Sequence, residues 1–212
     1  QEQGRLSLKE TFSIVRRLAS ALDHAHEREI IHRDLKPSNV FLCDNKERAD
    51  FVKLVDFGIS KVLGSQSAIT RTRATMGTPS YMSPEQAEGR SAEVDARTDV
   101  FALGTMLYEM LAGRTPFVGE SIPTMLYKIV YQAPPPLRQL RANLPPAVEQ
   151  VVHTALGKAP DDRFPSMDKF MQAMDRALAE ANVVSARLVP ATAPQRPVDG
   201  PAGPDSMATT GV

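Results

Sequence analysis

Residues 100–112, Val-Phe-Ala-Leu-Gly-Thr-Met-Leu-Tyr-Glu-Met-Leu-Ala, place Phe101, Leu103, Met106, Leu107, Met110 and Leu111 around almost the whole circumference of a helix. A helix that is apolar on every side cannot lie on a surface, so other elements must enclose it. Gly113 follows directly and supplies the residue type that ends helices. The run is shorter than the roughly 20 apolar residues that cross a bilayer, and Glu109 interrupts it. It reads as a buried central helix, and with 42% hydrophobic residues in 212 the rest of the chain can wrap it in one globular unit.

The wrapping elements are legible from caps and periodicity. Ser7-Leu8-Lys9-Glu10 is a capping-box pattern, and Phe12, Val15, Leu18, Ala19, Leu22 and His26 then recur at helical spacing, which predicts a helix to about Glu27. His24 and His26 stand two apart, point in different directions on a helix, and read as structural histidines. Further helices are expected over 122–131, 146–156 and 166–181, with Pro146 in a first turn and Ser166 as a cap. Pro134-Pro135-Pro136 enforces an extended connection between the first two.

Val40-Phe41-Leu42 and Phe51-Val52-Lys53-Leu54-Val55 are β-prone runs on either side of the polar stretch 44–50 and predict a small antiparallel hairpin. Residues 59–63 add another extended piece, and the hydroxyl-rich stretch 64–76 reads as an exposed loop. The fold class is therefore mainly α with a small antiparallel β-hairpin region. Beyond residue 182 the composition turns to Ala, Pro, Gly and Thr, so a folded domain over 1–182 and a disordered linker over 183–212 are expected.

Lysine plus arginine equals aspartate plus glutamate at 25 each, which gives no hint of a nucleic-acid partner. The lone Cys43 cannot form an internal disulfide. With no signal peptide and no apolar run of membrane length, a cytoplasmic segment without membrane contact is expected. The first residue is Gln1 rather than Met, which suggests a piece of a longer chain.

Chemistry concentrates in His32-Arg33-Asp34-Leu35-Lys36-Pro37-Ser38-Asn39 and in Asp56-Phe57-Gly58. Phosphoryl transfer requires a positioned nucleophile, neutralised phosphate oxygens and a held divalent metal. Asp34 is a carboxylate able to orient and deprotonate a hydroxyl, Lys36 an ammonium for a phosphate, and Asn39 and Asp56 supply the oxygens that a hard cation takes. Pro37 stiffens the turn, and Gly58 admits backbone angles that a Cβ penalises.

These two motifs, followed by Ser83-Pro84-Glu85, stand in the order of the protein-kinase signature set, and the chain resembles a bacterial, eukaryotic-like serine/threonine protein kinase. The resemblance runs from about Leu6 to Ala181. It also rests on Ala-His-Glu-Arg-Glu-Ile-Ile-His-Arg-Asp and on Gly77-Thr78-Pro79-Ser80-Tyr81-Met82-Ser83-Pro84-Glu85-Gln86-Ala87, with Lys36 marking the serine/threonine branch. It implies the C-terminal lobe of the kinase fold, ATP and Mg2+ or Mn2+ as cofactors, and proteins as substrates.

By the same resemblance Asp34 is the catalytic base, Lys36 the γ-phosphate contact, Asn39 and Asp56 the metal ligands, and Phe41 and Val55 the lower wall of an adenine pocket. Arg33 looks like the arginine that pairs with a phosphorylated activation loop, Thr70 and Thr72 like its phosphothreonines, and Thr75 like a further candidate. Thr78 resembles the threonine that contacts the catalytic aspartate and lysine. Glu85 and Arg163 resemble a buried ion pair, and Asp99 the carboxylate that holds the catalytic loop.

The 212 residues contain no Gly-x-Gly-x-x-Gly and no Val-Ala-Ile-Lys strand, so the N-terminal lobe is expected to be missing and the isolated piece inactive. Ser83 replaces the usual alanine before Pro84-Glu85. Two other readings stand beside the kinase: a pseudokinase or scaffold lobe that binds partners, and a small-molecule phosphotransferase. Self-association for autophosphorylation, and a parent anchored by a span beyond the linker, are left open.

Overall fold

The computed structural model describes residues 6–45, 48–57 and 79–188; over 43–45, 48–51 and 182–188 it describes the backbone alone. The expected extended piece at 59–63, the loop at 64–76 and residues 189–212 lie outside the described residues.

The apolar run lies in helix α3 (Ala96–Ala112), preceded by α1 (Leu8–His26), the strands β1 (Val40–Asn45) and β2 (Arg48–Leu54), and the short helix α2 (Pro84–Ala87). After it come α4 (Ile122–Tyr131), α5 (Leu137–Leu140), α6 (Pro146–Ala155) and α7 (Met167–Leu188). Val100 to Tyr108 and Leu111 of α3 are all buried, as a helix enclosed on every side requires. α1, α5 and α6 pack on α3, and α7 closes the layer over α1 and α6.

Gly104 permits the closest of these approaches, because a Cβ there would stand 2.8 Å from the Ala155 Cβ. Gly113 ends α3 in the left-handed conformation, φ 77°, and returns its N–H to Glu109 O. The expected capping box of α1 forms: Ser7 Oγ accepts from Glu10 N at 3.2 Å, and Glu10 Oε2 accepts from Ser7 N at 3.0 Å.

Three boundaries differ from those the sequence suggests. α3 begins at Ala96, before the apolar run of residues 100–112, because Asp95 caps it, its side chain accepting from Arg97 N at 2.8 Å. The hairpin extends through most of the polar stretch, with Val40 opposite Leu54 and Leu42 opposite Val52 and an irregularity between Cys43 and Asn45, since backbone ladders need no apolar side chains. α7 passes Ala181 and runs to Leu188, into residues 183–188 that composition assigns to the linker; no proline interrupts the chain there before Pro190. Among the described residues no helix is long and apolar enough to cross a membrane.

Candidate active site

The turn after α1 is built on a buried carboxylate. Asp99, in the first turn of α3, is wholly buried and accepts from His32 N at 2.8 Å and Arg33 N at 2.9 Å, one backbone donor on each oxygen. His26 Nε2, at the last residue of α1, lies 2.7 Å from the same carboxylate. A buried charge is tolerated when donors surround it, and here those donors are the loop itself. Asp99 thereby fixes Arg33 at φ 63°, a conformation that non-glycine residues rarely adopt.

His32 ties this turn to the end of β2. Its Nδ1 accepts from Asp34 N at 3.3 Å and its Nε2 lies 3.1 Å from Val55 O. A carbonyl only accepts, so the two contacts assign the ring proton to Nε2. The ring centroid stands 4.7 Å from that of Phe57. Val55 N in turn donates to Asn39 O at 3.0 Å, so residues 32–39 and 55–57 are joined by backbone as well as by the imidazole.

On this frame the functional side chains meet. Lys36 Nζ donates to Asp34 Oδ2 at 2.8 Å. Asn39, buried in the 3-10 turn Pro37–Asn39, donates through Nδ2 to Asp34 O at 2.9 Å and to Asp34 Oδ2 at 3.4 Å. Asp56 is exposed and left-handed, φ 56°, immediately after the Val55 anchor. Phe41 remains 53% exposed on β1, and Val55 is half-buried. Arg33 is half-buried, and among the described residues its guanidinium has no ion pair.

The donor set suits a hard divalent cation. The Asn39 amide nitrogen is committed to Asp34, which leaves Oδ1 for a cation, met among the described residues by the Ser38 hydroxyl at 3.4 Å. Asp56, the residue after Val55, whose N–H donates to Asn39 O, adds an anionic oxygen to the donor set. Among the described residues no group of three His, Cys, Asp or Glu side chains forms a metal cage.

A second constellation lies behind the turn. Glu85 of α2 and Arg163, both wholly buried, form a two-pronged pair at 2.9 and 2.7 Å. Thr98 Oγ1 donates to Glu85 Oε1 at 2.7 Å, and Arg163 donates further to the carbonyls of Gly157, Lys158 and Arg97. Burial pushes the Glu85 carboxyl up, but Arg163, by hydrogen bond and charge, and Thr98 outweigh it and bring the pKa down to about 2. Nearby, Tyr81 donates to Glu109 Oε2 at 2.6 Å, and burial together with that carboxylate pushes the phenol well up.

Of the residues singled out in the sequence, Asp34, Lys36 and Asn39 are brought into mutual contact, Asp56 follows the anchored Val55, and Asp99, Glu85 and Arg163 are buried supports. Gly58, Thr70, Thr72, Thr75, Gly77 and Thr78 lie outside the described residues. Sequence reasoning missed His26 as a partner of Asp99, and Gln86, whose Nε2 donates to Arg33 O at 2.7 Å. Neither contact leaves a local signal, because the partners lie 73 and 53 residues apart.

Comparison with known proteins shows the family of the chain. Residues 1–175 match the family described as "Protein kinase domain". The chain is 42% identical over 175 residues to the serine/threonine-protein kinase Pkn1 of Myxococcus xanthus, covering 82% of this chain and 25% of that protein. It is 41% identical over 171 residues to the serine/threonine-protein kinase pkn3 of the same organism, covering 77% and 31%. To the serine/threonine-protein kinase PknB of Mycolicibacterium smegmatis it is 40% identical over 162 residues, covering 76% and 25%. The chain thus spans a quarter to a third of the length of these relatives.

Proposed function

The chain belongs to the protein kinase family, specifically to its bacterial, eukaryotic-like serine/threonine members, and from that premise we propose that it carries the substrate-side half of a catalytic centre that moves the γ-phosphate of ATP to serine or threonine hydroxyls of proteins. The observation that carries the reading is the single turn in which Asp34 touches both Lys36 Nζ and Asn39 Nδ2 while Asp99 clamps its backbone.

Asp34 accepts the proton of the attacking hydroxyl and holds that hydroxyl in line. Lys36, now paired with Asp34, transfers its ammonium to the phosphate oxygens as negative charge develops there. Asn39 Oδ1 and the Asp56 carboxylate hold a divalent cation, most suitably Mg2+, which would neutralise the phosphate oxygens. Phe41 and Val55 support the base of the nucleotide. Phosphorylated Thr70 or Thr72 would find its counter-charge in Arg33, and Thr78 would contact Asp34 and Lys36. Protein substrates, a second copy during autophosphorylation and a cytoplasmic setting follow from this reading.

The intact set Asp34, Lys36, Asn39 and Asp56 supports catalysis over a scaffold role. Since these residues include no glycine-rich phosphate loop and no strand lysine, we expect turnover only in a polypeptide that supplies them. The test is phosphate transfer from γ-labelled ATP to a generic protein substrate by the longest natural protein carrying this chain, beside its Asp34→Asn variant. Label on serine or threonine that disappears in the variant supports the reading. A wild-type protein that binds ATP yet labels nothing overturns it in favour of the scaffold.

A further inference from the structure

The peptide unit that joins Arg33 to Asp34 is held at both of its polar atoms. Its N–H goes to His32 Nδ1 at 3.3 Å, and its carbonyl oxygen accepts from Gln86 Nε2 at 2.7 Å. The residue on its N-terminal side, Arg33, is left-handed and tied by its own N–H to Asp99. A strained backbone persists only where its surroundings over-determine it, and around Arg33 they do so: Asp99 of α3 holds its own N–H, while His32 of the loop and Gln86 of α2 hold the peptide beyond it.

Gln86 is fitted for this task by its two-ended amide. Its oxygen accepts from Ser83 N at 3.1 Å and from Ser83 Oγ at 3.3 Å, at the N-terminus of α2. Ser83 is wholly buried, so its backbone donor needs that acceptor. With the oxygen committed to a donor, the nitrogen must face the Arg33 carbonyl, and the opposite orientation would set donor against donor and acceptor against acceptor. The side chain therefore has one orientation, with one end at the cap of α2 and the other at the peptide that aims Asp34.

We propose that Gln86 is a positioning residue for phosphoryl transfer: it transmits the placement of α2 to the backbone of Asp34, and the donor end of its amide is the part that matters for turnover. The inference rests on the kinase reading of Asp34. The same glutamine ties the catalytic turn to the helix that carries Glu85, so the buried Glu85–Arg163 pair anchors the turn through one intermediary side chain.

Gln86→Glu separates the two ends of the amide. A carboxylate still accepts from Ser83 N and preserves the cap of α2, but it offers no donor to Arg33 O and sets an anion against it. In a turnover-competent protein carrying this chain, kcat is expected to fall on the order of tenfold, the scale of one lost charge-free hydrogen bond plus the repulsion replacing it. KM for ATP and the melting temperature should remain near wild type. Gln86→Met, which lacks both ends, should lose kcat and melt earlier. A kcat for Gln86→Glu within twofold of wild type overturns the inference, while absence of phosphorylation by the wild type overturns the kinase reading instead. If both variants fail to fold, carboxamide proton exchange in the wild-type chain decides: Gln86 protons exchanging as fast as those of exposed Gln139 and Gln150 overturn it, and slower exchange supports it.

Discussion

Two carboxylate–cation pairs of nearly equal length, one within the turn of residues 32–39 and one behind it, are held in opposite ways. Lys36–Asp34 closes at 2.8 Å with its side chains 33% and 26% exposed, through one contact between a point charge and one oxygen. Arg163–Glu85 closes at 2.7 Å with both side chains fully buried, through a planar fork whose remaining donors reach three carbonyls. The partly exposed pair is more weakly held, because water reaches and screens it and a lysine head swings on a flexible stem. The buried pair has no alternative partner, since every donor of the guanidinium faces a fixed acceptor. Charge pairing alone thus does not tell the two pairs apart; the number of competing partners does.

The largest effects should separate the two pairs cleanly. Asp34→Asn removes the proposed proton acceptor and should lower turnover of a competent protein about 10²–10⁴-fold, the usual worth of a general base. Its melting temperature should fall far less than that of a variant at the buried pair, because the pair it breaks is partly open to water. A large drop in stability for this variant would erase the contrast.

Arg163→Met should show the reverse. It leaves the buried Glu85 without its counter-charge, with the Thr98 hydroxyl still donating to it, and should cost roughly 3–5 kcal/mol of folding stability by urea denaturation, as breaking buried pairs does. Lys36→Met at the exposed pair should cost at most about 1 kcal/mol. Equal losses for the two variants would show that burial does not set the strength of these pairs.

The contrast has a pH form. Glu85 has its folded pKa lowered to about 2, below its ordinary value, so the pair contributes stability that is fully present above the unfolded carboxylate pKa and is lost as pH falls toward 2. The stability gap between wild type and Glu85→Gln should therefore narrow from about pH 4.5 downward. A gap that stays constant over that window would break the assignment.

Much of the fold was written locally. The all-round apolar run, the Ser7 and Glu10 box, the Gly113 stop and Pro146 in the first turn of α6 are each a few residues long, and each does what its local chemistry requires. The catalytic turn was legible for the same reason, as Asp34, Lys36 and Asn39 fall within one turn. Asp99, Glu85 and Arg163 came from family resemblance and not from spacing. His26 on Asp99 and Gln86 on Arg33 escaped notice, because a histidine on a half-apolar helix and a glutamine in a cap have ordinary local explanations. Their roles arise when α1, α2 and α3 meet, and no periodicity within one element encodes that meeting.

Lys158 offers the finest version of the comparison, a half-buried cation with no carboxylate partner among the described residues. Its Nζ donates to the carbonyl of Ile129 and lies 3.9 Å from the centroid of Phe117. Burial, and then the neighbouring charge of Arg163, lower its pKa to about 8, while the ring and the carbonyl favour the cation without reversing that direction. Between that value and the ordinary lysine pKa the folded state binds fewer protons than the unfolded one, so this group makes stability rise with pH across the window. Lys158→Met should abolish that rise and leave stability at pH 7 within about 1 kcal/mol of wild type, since removing a buried charge offsets the lost contacts. Urea midpoints of the two proteins at pH 7.5 and pH 10 decide it. Midpoints that move in parallel would mean that a carbonyl and an aromatic face compensate this ammonium as fully as Glu85 compensates Arg163, and the distinction between paired and merely solvated buried cations would fail at this site.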